Sequence, residues 1–422
     1  MLDLKLVRED PEGVRQALAR RGEEAAAAVG ELLGLDARRR ELIPQIEGRQ
    51  ARQNAANDAI ATAKREGGDA EGAIAEMREV AAEVKALEKE LAEVEAERDR
   101  VLLTVPNLPQ AEAPDGQAEE DAVTVREVGE PPEFGFEPRD HIDLCAERGL
   151  IEVEAAARAS GARFAYLLGD LVMVELALVR FALELLAGEG FTPVVPPVLV
   201  REEALTGTGF FPGEREMIYE IPRDELFLVG TSEVSLAALH MGEILEPGAL
   251  PRRYAGFSTC FRREAGAAGK DTRGIFRLHQ FDKVEMFAFV EPESSAAEHE
   301  RLLALQERIL QQLELPYRVV DIAVGDLGAS ASRKFDCEAW IPSQGRYREV
   351  TSCSNTTDYQ ARRLNSRYRP AAGEQPRFPH TLNGTAVAIG RTLIAMTENH
   401  QDAEGRISIP AALHPYGAPE RI

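Results

Sequence analysis

Between residues 77 and 101 the apolar positions fall at Met77, Val80, Val84, Leu87, Leu91, Val94 and Val101, with Arg98 in the one remaining place. The steps alternate between three and four, which predicts a helix carrying a heptad seam for more than three repeats. Upstream, Leu32, Leu35, Leu42, Ile46, Ala56 and Ile60 fit the same frame, interrupted by Arg39, Arg49 and Gln53. Between the two stretches lies Glu66-Gly67-Gly68-Asp69, where glycines end one helix and an aspartate caps the next. The pattern predicts an antiparallel helical hairpin over about 31–103, roughly 50 Å long at 1.5 Å per residue. Pro44 removes a hydrogen bond from the outward helix and is expected to kink it near its base.

The grammar changes after Val105. PNLPQAEAPDGQAEEDA reads as a linker, so the domains are expected at 1–107 and 123–422, with 108–122 joining them. Beyond residue 123, helical stretches at 164–188 and 293–313 mix with β-rich runs at 252–262, 276–290 and 317–324. The strands follow one another without regular βαβ alternation. An α+β fold with an antiparallel sheet flanked by helices fits better than a doubly wound parallel sheet.

Composition narrows the classes. Of 422 residues, 44% are hydrophobic and 29% charged, and 49 Lys/Arg against 72 Asp/Glu leave a net charge of −23. Such a chain does not coat nucleic acid or anionic membrane by bulk charge, although a local basic patch can still bind RNA. The hairpin's charges are uneven. Residues 36–66 hold seven basic and five acidic side chains, net +2, whereas 69–103 hold five and eleven, net −6. The outward helix is therefore the better RNA-facing candidate, beside the plainer readings of a dimerisation coiled coil or a solvated spacer. Leu171–Ala187 is the most apolar stretch, yet it carries Glu175, Arg180 and Glu184 and reads as a buried helix, not a membrane span. The N-terminus lacks a secretory pattern, and the four cysteines form no C-x-x-C pair. Reduced thiols in the cytoplasm are expected, with no zinc.

The chemistry concentrates in three clusters. In Phe261–Glu285, a glycine-rich loop over 265–274 is followed by Arg277, His279, Phe281, Lys283 and Glu285, which alternation places on one strand face. A strand face of this kind lines a polar cavity or a solvated edge. In Arg346–Asn355, alternation puts Glu349, Thr351 and Cys353 on one face and Arg348, Val350 and Ser352 on the other. In Thr381–Arg391, small residues allow close backbone approach and Arg391 opens a helix over 392–400, whose N-terminus favours an anion. Arginines for phosphate, carboxylates for a divalent cation or an ammonium, and an aromatic to stack a base equip a nucleotide-using enzyme. Neither the dinucleotide fingerprint nor the P-loop occurs.

These residues resemble the class II aminoacyl-tRNA synthetases, and specifically the seryl family. FRREAGAAGKDTRGIFRLHQFDKVEMF is similar to the second class-defining motif and TLNGTAVAIGRTLIAMTENHQ to the third. The helix leading into GFTPVVPPVLV resembles the first, with Pro197 in the place of its proline, and Gly325–Arg363 follows the seryl pattern. With the hairpin, the likeness covers essentially the whole chain.

The resemblance implies activation of L-serine by ATP to seryl-adenylate, then transfer to tRNA(Ser); whether the selenocysteine tRNA is also served stays open. It implies that Arg262 holds the α-phosphate, that Glu264 and Phe281 fix the adenine, and that Arg391 and Arg277 clamp the outer phosphates. Arg263, Val350 and Thr351 complete the ATP set, and Glu349 with Ser352 would ligate Mg²⁺. For serine it implies Thr231-Ser232-Glu233 at the α-amino group, Arg262 and Glu285 beside it, and Asn383 and Thr385 closing the pocket. It implies a homodimer, with tRNA met by the helical arm and the 265–274 loop. Arg263, Ser232 and Pro44 depart from the family's commoner residues. His279 reads as a packed strand histidine or as a catalytic one, Cys353 as buried bystander sulfur, and Lys270, Asp271 and Arg273 as tRNA contacts or solvated charges. Rival readings are an amino-acid:carrier-protein ligase, which would lack the arm, a threonine or proline synthetase, and a non-catalytic RNA-binding relic. Such a relic would be expected to lose Arg262, Glu349 or Arg391.

Overall fold

The computed structural model describes residues 1–67, 71–265, 271 and 273–422. The chain divides into two compact units, Leu2–Val105 and Pro106–Ile422, with Met1 counted in the second.

The first unit is helical: α1 (Leu4–Glu9), α2 (Pro11–Ala19), α3 (Glu23–Arg65) and α4 (Glu71–Thr104). The Asp10 carboxylate accepts from the Gly13 N–H and Pro11 takes the first helical position, so α2 starts where its capping chemistry dictates. α3 begins at Glu23, earlier than the expected 31, because Ala25–Ala28 are strong helix formers that need no apolar frame. It also continues unbroken through Pro44, which is exposed. Part of the expected turn, Gly68 and Asp69, lies outside the described residues.

Leu32, Leu42, Ile46, Val84 and Val101 are buried along the seam between α3 and α4. Where the outward frame fails, α4 answers with carboxylates. Arg39 donates to Glu95 and Arg49 to Glu83, each at 2.7 Å, while Gln50 donates to Glu88 at 3.0 Å. Arg38 also donates to Glu90, at 2.9 Å through Nε. The acidic excess of α4 is thus partly spent inside the hairpin, and with Arg38 paired across it the other exposed basic residues of α3 are Arg40, Arg52, Lys64 and Arg65.

The second unit is built on an eight-stranded sheet: β1 (Val123–Val128), β2 (Thr192–Val194), β3 (Arg252–Phe261), β4 (Gln280–Val290), β5 (Tyr317–Asp321), β6 (Arg333–Ile341), β7 (Arg346–Asn355) and β8 (His380–Ala388). The strand order is β1-β5-β6-β7-β8-β4-β3-β2, antiparallel throughout except where β2 runs parallel to β3. Helices α5 (Asp170–Gly188), α6 (Ser295–Gln312) and α7 (Ile389–Asn399) share one core with the sheet. Alternation along β4 sends Val284, Met286, Ala288 and Val290 into that core and leaves Phe281, Lys283 and Glu285 on the opposite face.

Two boundaries differ from the sequence pattern. α5 starts at Asp170, not 164, because Tyr166–Leu167 pair with Ile151–Glu152 as a short strand first. β4 starts at Gln280, so 276–279 approach it as irregular chain. All four cysteines are buried and free. Among the described residues no helix is long and apolar enough to cross a membrane, and no three His, Cys, Asp or Glu side chains group to hold a metal ion.

Candidate active site

On the face of the sheet away from the core, a cleft opens over β4, β7 and β8. Its walls include Thr231, Glu233, Arg262, Glu264, Phe276, Arg277, Phe281, Lys283, Glu285, Glu349–Ser352, Asn383, Thr385 and Arg391. The three sequence clusters, up to 130 positions apart, therefore meet in one place because β7, β8 and β4 are adjacent strands.

One end of the cleft is a small polar pocket. Thr385 lies opposite Glu285 in the β8–β4 ladder and Asn383 lies opposite Phe287. The Glu285 carboxylate is buried at 2% exposure and ion-paired with Lys283, itself only 6% exposed. Thr231 Oγ1 accepts from Lys283 Nζ at 2.7 Å and donates to Glu285 Oε2 at 3.1 Å. Glu233 Oε1 accepts from Gln360 Nε2 at 2.7 Å and from Asn383 Nδ2 at 3.0 Å. Burial first, and repulsion from Glu285 second, push the Glu233 carboxyl up to about 7. The pocket thus offers two carboxyls, a hydroxyl and amides within a small enclosed volume, which suits an ammonium-bearing polar molecule.

The other end is rich in arginine. The Arg262 guanidinium donates through Nε to the Gly230 carbonyl at 3.1 Å and lies 5.2 Å over the Phe281 ring. Arg277 donates to Glu264 at 2.7 Å. Arg391, in the first turn of α7, donates to both the carboxylate and the carbonyl of Glu349 at 3.0 Å. Burial alone would raise the Glu349 carboxyl, but Arg391, Lys334 and Arg262 outweigh it and hold it down at about 2. Phe276 lies between two guanidinium groups, Arg348 at 3.9 Å and Arg391 at 4.8 Å from its centroid.

Strict alternation misplaces Glu349. Thr351 pairs with Cys337 but Glu349 pairs with Glu338, so Val350 is an extra residue in a β-bulge. One added residue reverses the phase, which moves Glu349 from the face of Thr351 and Cys353 to the face of Ser352. Cys353 packs in the core.

Arg263 and Ser232 do not line the cleft. The Arg263 guanidinium lies 5.3 Å over Tyr219, and Ser232 is fully buried with an unpartnered hydroxyl. His279 is also outside it: its Nδ1 sits 2.8 Å from the Arg262 carbonyl and its ring packs against Phe164 and Tyr219. Asp271 is half-buried and tied to Arg348 at 2.8 Å, whereas Arg273 stays exposed while pairing with Asp140 at 3.3 Å and with Asp143. Lys270 lies outside the described residues. Lys283 was visible on the strand face but carried no role, since alternation cannot reveal which carboxylate a lysine meets. Phe276 gave no signal beyond its position at the start of the β-rich run 276–290.

Residues 218–400 match the family described as "tRNA synthetase class II core domain (G, H, P, S and T)", and residues 1–109 match "Seryl-tRNA synthetase N-terminal domain". A serine–tRNA ligase of Acidothermus cellulolyticus is 52% identical over 416 residues, covering 99% of this chain and 98% of that protein. One of Thermobifida fusca is 48% identical over 416 residues, covering 99% and 97%. The crystal structure of seryl-tRNA synthetase from Pyrococcus horikoshii complexed with ATP superposes with a TM-score of 0.95 at 41% identity, covering 100% of this chain and 99% of that one. With both halves matched and full-length relatives at about half identity, the chain belongs to the seryl-tRNA synthetase family.

Proposed function

We propose that the protein is a serine–tRNA ligase: it activates L-serine with ATP, releasing pyrophosphate, and passes the seryl group to the terminal adenosine of tRNA(Ser). The observation that carries this reading is the joining, in one cleft, of an arginine-rich end bearing Phe281 to a small pocket of Glu233, Glu285, Thr231, Asn383 and Thr385.

In the first step a serine carboxylate oxygen forms a bond to the α-phosphorus while the bond to the β-phosphate bridging oxygen breaks. Arg262 meets the charge that builds on the α-phosphate. Phe281 stacks the adenine and Glu264 accepts from it, which requires the Arg277–Glu264 pair to loosen as Arg277 turns to the outer phosphates with Arg391. Serine's ammonium is held by Glu233 and Thr231. Its hydroxyl is held by Glu285 and Thr385, so alanine would leave buried polar groups unpaired and be rejected. Val350 and Thr351 contribute to the ATP wall, whereas Arg263 and Ser232 act from outside the cleft.

The donor set suits Mg²⁺: an ionised Glu349 carboxylate and the Ser352 hydroxyl share a strand face and would supply hard oxygen ligands. Glu349 and Ser352 would hold the ion, which neutralises phosphate charge when bound. Residues 1–107 serve tRNA through the hairpin, 108–122 link, and 123–422 carry catalysis, with the 265–274 loop meeting the acceptor end. The protein works as a cytoplasmic homodimer; exposed Met173, Leu176 and Val195, on α5 and just after edge strand β2, support pairing because association would cover them.

ATP–pyrophosphate exchange with Mg²⁺ and each of the twenty amino acids, without tRNA, tests this reading. Exchange with serine alone is expected. Exchange with threonine or alanine instead overturns the pocket assignment, and none with any amino acid overturns the enzyme.

A further inference from the structure

Three consecutive residues at the entry to the cleft are docked onto one short helix, His141–Ala146. Arg273 pairs with Asp140 and Asp143. Gly274, at φ 87°, presses against the His141 ring so closely that a Cβ there would stand 2.3 Å from Nε2. The Ile275 N–H donates to His141 Nε2 at 3.2 Å. Nε2 is therefore the acceptor, which places the hydrogen on Nδ1, where the ring donates to Glu398 Oε1 at 2.8 Å. Glu398 is fully buried in α7; its Oε1 also accepts from the His141 N–H at 3.1 Å, and its Oε2 from the Ser343 N–H at 3.1 Å. The next two residues after Ile275 are Phe276 and Arg277, both in the cleft wall.

We infer that His141, held by Glu398, is a positioning residue for ATP: it fixes the backbone at Ile275 and thereby sets where Phe276 and Arg277 stand. The chain 276–278 has no strand ladder to hold it, because β4 starts only at Gln280 and the backbone is next bonded at His279, to Arg262 and Arg163. Its backbone must be fixed from elsewhere, and the imidazole is a buried acceptor (6% exposed) in the right place. α7 carries Arg391 in its first turn and Glu398 near its end. One helix thus supplies one phosphate-binding arginine directly and sets the other through His141. The inference rests on the reading of Arg277 as a phosphate ligand.

The two ring nitrogens can be tested apart. Asn at 141 keeps a donor near the Nδ1 position for Glu398 but has nothing to accept from Ile275. Gln reaches the Nε2 position with its carbonyl and restores that acceptor. In serine-dependent pyrophosphate exchange, His141→Asn is expected to raise the KM for ATP about tenfold, the scale of one lost buried hydrogen bond, with the KM for serine unchanged. His141→Gln is expected to recover most of that loss. Should His141→Asn fail to fold, Gly274→Ala displaces the same backbone from the imidazole without touching Glu398, and the same selective rise is expected. A purely structural role predicts instead that both substrates are affected alike, or that Asn outperforms Gln, and either result overturns the inference. Arg277→Ala separates the two layers. A raised ATP KM there with a normal one in His141→Asn removes the positioning role alone. A normal ATP KM in Arg277→Ala removes the phosphate reading and the inference with it.

Discussion

Glu233 is a carboxyl whose charge is undecided near neutrality, since burial and then Glu285 lift it to about 7. It faces Glu285, Lys283, Gln360, Asn383 and the Thr231 hydroxyl. The unfolded chain ionises near 4.5, so the folded state holds the extra proton between the two values. The stability this contributes is complete below about 4.5 and is lost as pH rises through about 7. A serine ammonium placed beside Glu233 pulls its pKa back down and drives off the proton. The KM for serine is therefore expected to fall as pH rises through about 6 to 8, and Glu233→Gln to flatten that limb; pyrophosphate exchange across the range reads both. Lys283 presents the complementary case. Lys283→Met strands a buried Glu285 carboxylate and is expected to cost about 3–5 kcal/mol in denaturant unfolding. Adding Glu285→Gln should restore most of the stability but not serine activation, which separates the pair's structural part from its part in binding.

At the scale of elements, the hairpin's stability resides in its seam and not in the pairs that cross it. Leu42 is fully buried, whereas the Arg49–Glu83 pair keeps 34% and 50% of its side chains exposed. Leu42→Ala is expected to destabilise the helical unit by about 2–5 kcal/mol and Arg49→Ala by under about 1 kcal/mol, measured by thermal unfolding followed at α-helical ellipticity. Neither change should alter pyrophosphate exchange. The 3–4 spacing made this hairpin legible, and the polar gaps at Arg39 and Arg49 became intelligible only with α4 opposite them. The antiparallel sheet was legible in the same way, from β-rich runs without βαβ alternation. What periodicity could not carry was any break in its own phase. The bulge at Val350 leaves no trace in composition, yet it decides that Glu349 stands with Ser352 and not with Cys353. Motif position likewise placed Ser232 and Arg263 in the site, although the turn before the Glu233 helix buries one and Tyr219 draws away the other. Contacts between segments far apart in sequence, such as Lys283 with Thr231 or His141 with Glu398, have no local signature at all.

The whole molecule separates chemistry from reach. Among the described residues, those lining the cleft all fall between 210 and 391, within the unit Pro106–Ile422. Serine activation needs only the cleft, whereas charging needs tRNA to be held by a protein whose net charge of −23 repels it. Attraction must then be local, and on the hairpin Arg40, Arg52, Lys64 and Arg65 are exposed on α3, while Arg38, Arg39 and Arg49 face carboxylates of α4. Deleting 31–103 is expected to leave serine-dependent pyrophosphate exchange near that of the intact chain and to abolish charging of tRNA(Ser). Equal loss of both activities would refute the division. The deletion alone cannot separate a spacer from an RNA-binding arm, because either would be missed. Changing Arg40, Arg52, Lys64 and Arg65 together to Ala does separate them, since it keeps the seam and the rod. If the arm contacts RNA, the KM for tRNA rises and charging becomes less sensitive to salt, because fewer counterions are released from the phosphates. If it is a spacer, charging and its salt dependence stay as they were, and the exposed basic residues serve only solubility.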